Sequence, residues 1–87
     1  MRKSYQKVLR DAFRDHLINT RDTLHLTQAQ MAEMLCMDER SYISLEHGKS
    51  CCGALTLSMF LLFCCPDSAK FLEELRHAFS IASEKAA

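Results

Sequence analysis

Two glycines and one proline must serve every corner of an 87-residue chain. β-Hairpins draw on Gly, Asn and Pro at their turns, so this scarcity argues for helices joined at a few sharp corners. Hydrophobic residues make up 48% of the sequence and charged residues 25%, a balance that can form a packed core. One domain over 1–87 is expected, near the lower end of the sizes that bury an adequate core unaided.

Apolar spacing and capping residues place five helices. Ser4 is the expected cap of the first, whose apolar face runs through Val8, Leu9, Ala12, Phe13 and Leu17 and which ends near Thr20–Thr23. Residues 1–7 read as a basic N-terminal arm. Thr27 and Gln30 form a capping box, with Leu26 and Met31 at the flanking staple positions, so a second helix runs from about Gln28 to Leu35. Cys36 and Met37 make the next corner. Asp38 caps a third helix, Met37 and Tyr42 are again in staple spacing, and Gly48 stops it. Tyr42, Leu45 and part of Glu46 face inward on this helix; Glu39, Arg40, Ile43, Ser44 and His47 face outward.

The fourth helix, about Ala54 to Cys64, is apolar nearly all round, and Pro66 is expected to end it. A fifth follows Asp67 or Ser68 with a long stripe of Phe71, Leu72, Leu75, Ala78, Phe79 and Ala82, and residues 80–87 are expected to fray. So much apolar surface fits a homodimer buried through helices four and five. Closure of a monomeric core by helix five is the equally open alternative.

Charge and cysteines narrow the function classes. Eleven basic and eleven acidic side chains cancel, so no overall field favours nucleic acid. The basic residues Arg2, Lys3, Lys7, Arg10 and Arg14 nevertheless crowd the first stretch against Asp11. The longest apolar run, "LTLSMFLLFCC", is shorter than the ~20 residues of a membrane span, and no apolar core follows the charged start as in a signal peptide. A cytoplasmic protein without membrane contact is expected. Five cysteines, two pairs of them adjacent, make a poor disulfide framework; reduced thiols with Cys64 and Cys65 as small core hydrophobes are expected. His47 near Cys51 and Cys52 lacks a second ligand pair at zinc-like spacing, so neither metal nor cofactor is expected. The four histidines fall in separate elements without a nucleophile pattern, and no glycine-rich phosphate loop exists. Neither catalysis nor a small-molecule ligand is expected.

"LTQAQMAEML", a short corner and "SYISLEHGK" together resemble the helix-turn-helix of the lambda-repressor-like, Cro-type DNA-binding family, also called XRE. The Thr-Gln opening, Ala32 in the first helix and the Leu-Glu-x-Gly-Lys close match it in order and spacing, and the five-helix plan extends the likeness from about Val8 to Phe79. This resemblance implies an all-α, five-helix lambda-repressor-like bundle and a sequence-specific transcriptional regulator of the repressor type on double-stranded DNA. Its helix 39–47 would enter the major groove while the preceding helix crosses the backbone. By the same likeness, Thr27 and Gln28 position phosphate, and Glu39, Arg40 and Ser44 occupy base-reading positions. Arg40 suits a bidentate contact to guanine, Glu39 accepts from cytosine, and Ile43 meets a thymine methyl. Ser41, His47 and Lys49 are assigned to the backbone.

The family pattern also sets an arginine at the end of helix one opposite Glu46. Arg21 stands there, so a partly buried structural ion pair Arg21–Glu46 is expected, since an unpaired buried carboxylate is unfavourable. Two departures weaken the likeness. Cys36 holds a corner where glycine is common, and the segment after Gly48 keeps only Lys49 where relatives often carry several basic residues. Nonspecific DNA affinity should therefore be weak at physiological salt. The competing expectation is an antitoxin-like or adaptor module that uses the same fold to bind protein.

Overall fold

In a computed structural model, residues 2–65 and 67–86 are described, with side chains as far as Glu84. They form an all-helical fold: α1 (Arg2–Leu24), α2 (Gln28–Met34), α3 (Glu39–Glu46), α4 (Ala54–Met59) running into one π turn (Phe60–Cys64), and α5 (Ser68–Ala86). No strand occurs among the described residues, and no helix there is long and apolar enough to cross a membrane.

The starts of α2, α3 and α5 follow capping side chains, whereas α4 begins after Gly53 without one. Thr27 Oγ1 accepts from the Gln30 N–H at 3.1 Å while Gln30 Oε1 accepts from the Thr27 N–H at 2.9 Å, completing the capping box. Asp38 caps α3 through the Ser41 N–H at 3.0 Å, and Asp67 caps α5 through the Lys70 N–H at 3.0 Å. Ser4 does not cap α1, which is already helical at Arg2. The basic residues Arg2, Lys3 and Lys7 thus ride on the first turns of α1 rather than on a separate arm. At the other end, helical backbone continues to Ala86 through the stretch expected to fray. Pro66, the expected terminator of the fourth helix, lies outside the described residues, as do Met1 and Ala87.

Three helix ends share one geometry and only one of them uses glycine. After α3, the Gly48 N–H bonds to Leu45 O at 3.2 Å and the Lys49 N–H to Ser44 O at 3.0 Å, the paired bonds of a Schellman ending. The same two bonds close α2, from Cys36 to Glu33 O at 3.0 Å and from Met37 to Ala32 O at 3.0 Å. They close α1 as well, from His25 to Asp22 O at 3.2 Å and from Leu26 to Arg21 O at 3.1 Å. Each ending needs a residue at positive φ: Gly48 at 70°, Cys36 at 55° and His25 at 56°. Few glycines therefore did not mean few left-handed corners.

Left-handed backbone disfavours a residue with a Cβ by about 1–2 kcal/mol. The greater freedom of glycine in the unfolded chain takes back about 0.4–1 kcal/mol. Cys36 is exposed and loses no packing on truncation. Cys36→Gly is thus expected to raise stability by about 0.5 kcal/mol, read as a higher urea midpoint at unchanged slope.

The core joins α1, the π turn and α5 through three phenylalanines. Phe13 meets Phe60 edge-on at 5.1 Å and Phe71 at 6.5 Å, and Phe60 meets Phe71 at 6.0 Å. Leu17, Met31, Ala32, Leu35, Tyr42 and Leu45 extend this core to α2 and α3. Cys64 is buried, as expected of a small hydrophobe, and burial pushes its thiol pKa up, with Cys65 adding to the shift.

The fourth helix and the α5 stripe divide between burial and exposure. Phe60 and Cys64 point into the core, whereas Leu55, Leu62 and Phe63 stand in the open at 74%, 75% and 68% exposure. Within the stripe only Phe71 is fully buried; Leu75, Ala78, Phe79 and Ala82 are half-buried and Leu72 is exposed. Phe79 packs on Tyr5 of α1 at 5.1 Å, so α5 closes part of the core within one chain.

Candidate functional site

The corner between α2 and α3 is rigid at both of its ends. The second Schellman bond of α2 fixes Met37, and the cap from Asp38 begins α3 one residue later. Tyr42, Leu45 and Glu46 then face the core, and the opposite side of α3 is left to solvent. Glu39, Arg40 and His47 are exposed there, while Ile43 and Ser44 are half-covered by their neighbours. With Lys49 these five side chains line one shallow depression. The face thus carries two cations, one carboxylate, one hydroxyl, one imidazole and one aliphatic surface between Glu39 and Lys49.

Behind that face, Glu46 is 6% exposed and receives four hydrogen bonds. Arg21 donates from Nε to Oε2 at 2.7 Å and from Nη2 to Oε1 at 3.2 Å. Gln28 Nε2 donates to Oε1 at 3.2 Å, and the Tyr42 hydroxyl donates to Oε2. Arg21 Nη1 also reaches Leu26 O at 3.3 Å, tying the end of α1 to the start of α2. Burial pushes the Glu46 carboxyl pKa up, but the hydrogen bonds from Arg21, Tyr42 and Gln28, with the Arg21 charge, outweigh it and hold the group below its usual range. Tyr42 is shifted upward by burial and then by Glu46, so its hydroxyl stays a donor. The expected Arg21–Glu46 pair is present, and α3 is locked by it to α1 and α2 at once.

The remaining candidate residues are differently engaged. Thr27 spends its oxygen on the cap but keeps its hydroxyl proton for another partner. Gln28 is partly withdrawn, since one of its amide protons goes to Glu46. Ser41 donates its hydroxyl to Asp38 Oδ1 at 2.8 Å, and this bond with the Ser41 N–H holds the Asp38 carboxyl below its usual pKa range. A further acceptor at Ser41 would have to displace that carboxylate and tolerate its charge.

Three partners of this scaffold were not anticipated. Tyr42 lies one helical turn before Glu46, so its role was open to spacing alone, whereas Gln28 is 18 residues away and carries no such signal. Arg14 is the third. A Cβ at Gly48 would come within 3.1 Å of its Nη1, so glycine there serves both the positive φ and the approach of a cation to the end of α3.

Among the described residues no three or more His, Cys, Asp or Glu side chains gather in a metal-binding group. Against protein-family models, curated proteins and solved structures alike, the chain finds no match.

Proposed function

We propose that this chain is a sequence-specific DNA-binding regulator of the lambda-repressor-like, Cro-type helix-turn-helix kind, acting as a homodimer on a short two-fold site. The observation that carries the reading is the uncovered outer face of α3, where Glu39, Arg40, Ile43 and Ser44 stand together over a rigid base. Such a set offers a fork for guanine, an acceptor for cytosine and an apolar contact for a thymine methyl. Lys49 and His47 line the same depression and suit phosphate oxygens, as does the hydroxyl proton of Thr27 at the start of α2. Exposed Leu55, Leu62, Phe63 and Leu72 supply apolar surface for a second copy, on the fourth and fifth helices. Half-sites would then lie about 34 Å apart on one side of the duplex.

The test is retention of a random-duplex pool at low and moderate salt, followed by enrichment of the retained sequences. Salt-sensitive binding that converges on a two-fold site is expected. Arg40→Ala should weaken that site by about 1–3 kcal/mol, roughly 5- to 150-fold, and relax the base it reads. No retention at low salt would overturn the reading.

A second reading draws on the zero net charge and on the same exposed apolar residues. A protein-binding module on this fold would self-associate or capture a partner through Leu55, Leu62 and Phe63 while ignoring DNA at every salt concentration.

A further inference from the structure

The cations of α1 are sorted along the helix. Lys3, Lys7, Arg10, Arg14 and Arg21 follow one another at intervals of four, three, four and seven, the spacing of one helical face. Asp11, Asp15 and Asp22 follow a second, neighbouring face. Three contacts fix where the basic face lies. Arg21 Nε donates to Glu46 Oε2 of α3 at 2.7 Å, Arg14 Nη1 lies against Gly48 at the end of α3, and Gln6 O accepts from Cys51 Sγ at 3.9 Å. The face therefore starts behind α3 and passes its end, where Lys49 follows. It then continues past the segment 48–51 towards Lys3.

Folding does not account for the outer half of this face. Lys3 and Lys7 stand in the first two turns of α1, where the positive end of the helix dipole disfavours cations, and no acidic residue offsets them in the first turn. Both are exposed, and neither makes an ion pair among the described residues. Arg10 and Arg14 share Asp11 Oδ1, at 3.6 and 3.5 Å, and Arg14 also has Asp15 at 3.2 Å. A positive excess thus remains from Lys3 to Arg10, on a face that spans about 16 Å between Lys3 and Arg14.

We propose that Lys3, Lys7 and Arg10 form a ridge that grips the phosphate backbone of double-stranded DNA beyond the base pairs met by α3. The inference rests on the duplex being the ligand, as proposed above. It gives α1 the grip that the segment 49–53 lacks, where Lys49 is the only cation. Arg14, engaged by two aspartates, joins the ridge to the end of α3 and is not itself a phosphate contact. An anionic membrane presents similar charge, but a helix that enters a lipid surface needs an open apolar face. On α1 that face is taken, since Phe13 and Leu17 are buried and Tyr5 packs on Phe79 at 5.1 Å. Phosphate contacts carry no base information, so the ridge sets affinity and salt dependence and leaves the choice of sequence to α3.

The test measures binding of the full chain to a fluorescent random-sequence duplex and to the enriched two-fold site, by anisotropy over a series of salt concentrations. Each phosphate contact contributes about 0.9 to the slope of log Kobs against log salt. Lys3→Gln combined with Lys7→Gln should lower that slope by about 1.8 for each chain bound, equally on both duplexes, and keep the preference between them. Arg76→Gln, which removes an exposed cation of α5 outside the ridge, should leave the slope unchanged. Helical circular dichroism reports the folding of both variants. A slope that the double variant does not change, on a duplex the parent binds, overturns the ridge and leaves the α3 reading standing. A lowered slope on duplexes bound without any preferred sequence supports the ridge and sinks that reading. Absence of duplex binding at low salt overturns both, and binding to phosphatidylserine vesicles alone would assign the ridge to a lipid surface instead.

Discussion

Phe60→Ala is expected to bring the domain close to its unfolding threshold at 25 °C, whereas Phe63→Ala, three positions along in the same apolar run, leaves stability within about 0.5 kcal/mol. Phe60 is fully buried and touches both Phe13 and Phe71 edge-on, so its removal takes away transfer energy and two aromatic contacts together and leaves a cavity. Such truncations destabilise by about 3–5 kcal/mol. A chain of 87 residues has roughly 4–13 kcal/mol in all, so the loss is a large part of the total. Phe63, by contrast, is 68% exposed and supports nothing within one chain. Urea denaturation followed by circular dichroism, at a protein concentration low enough to suppress self-association, separates the two. Equal midpoints for the two variants would mean that the π turn does not aim Phe60 inward.

That contrast also marks where the sequence was legible. Signals carried by a few neighbouring residues read correctly: the Thr27–Gln30 box, the cap at Asp38 and the stop at Gly48. Their physics is local, so spacing alone identifies them. Ser4 failed because α1 was extended by Arg2 and Lys3, which need no cap to join an existing helix. The left-handed corners at Cys36 and His25 were harder to see, since the paired Schellman bonds form there without the glycine that usually marks them. Nor does the composition of an all-round apolar segment say which side is buried. The π turn settles that by carrying Phe60 and Cys64 inward and leaving Leu62 and Phe63 outside.

For the candidate face, helical spacing placed Glu39, Arg40, Ile43, Ser44 and His47 on one side of α3, and they do share a depression with Lys49. Spacing said nothing of how far each side chain is free. Ser41 and Gln28 look like available polar groups in the sequence, yet one is tied to Asp38 and the other to Glu46.

Glu46→Ala is expected to cost about 3 kcal/mol and to loosen α3 from α1 and α2 together. The carboxylate is the shared acceptor for Arg21, Gln28 and Tyr42, so its loss strands three donors rather than one. Arg21, at 22% side-chain exposure, can recover some hydration, which keeps the figure at the low end of the range for broken buried pairs. The Tyr42 hydroxyl cannot, since that residue is fully buried. Glu46→Gln retains an oxygen for Tyr42 but no charge for Arg21, and should cost about half as much. The pH dependence has a definite sign. Because the folded carboxyl titrates below its unfolded value of about 4.3, its contribution is fully present above that pH and is lost as pH falls through the lower folded value. Urea midpoints measured from neutrality down to pH about 3 should therefore fall more steeply for the parent than for Glu46→Gln. Parallel profiles, or a Glu46→Ala midpoint equal to the parent's, would show that the carboxylate is solvated and that something else holds α3 in place.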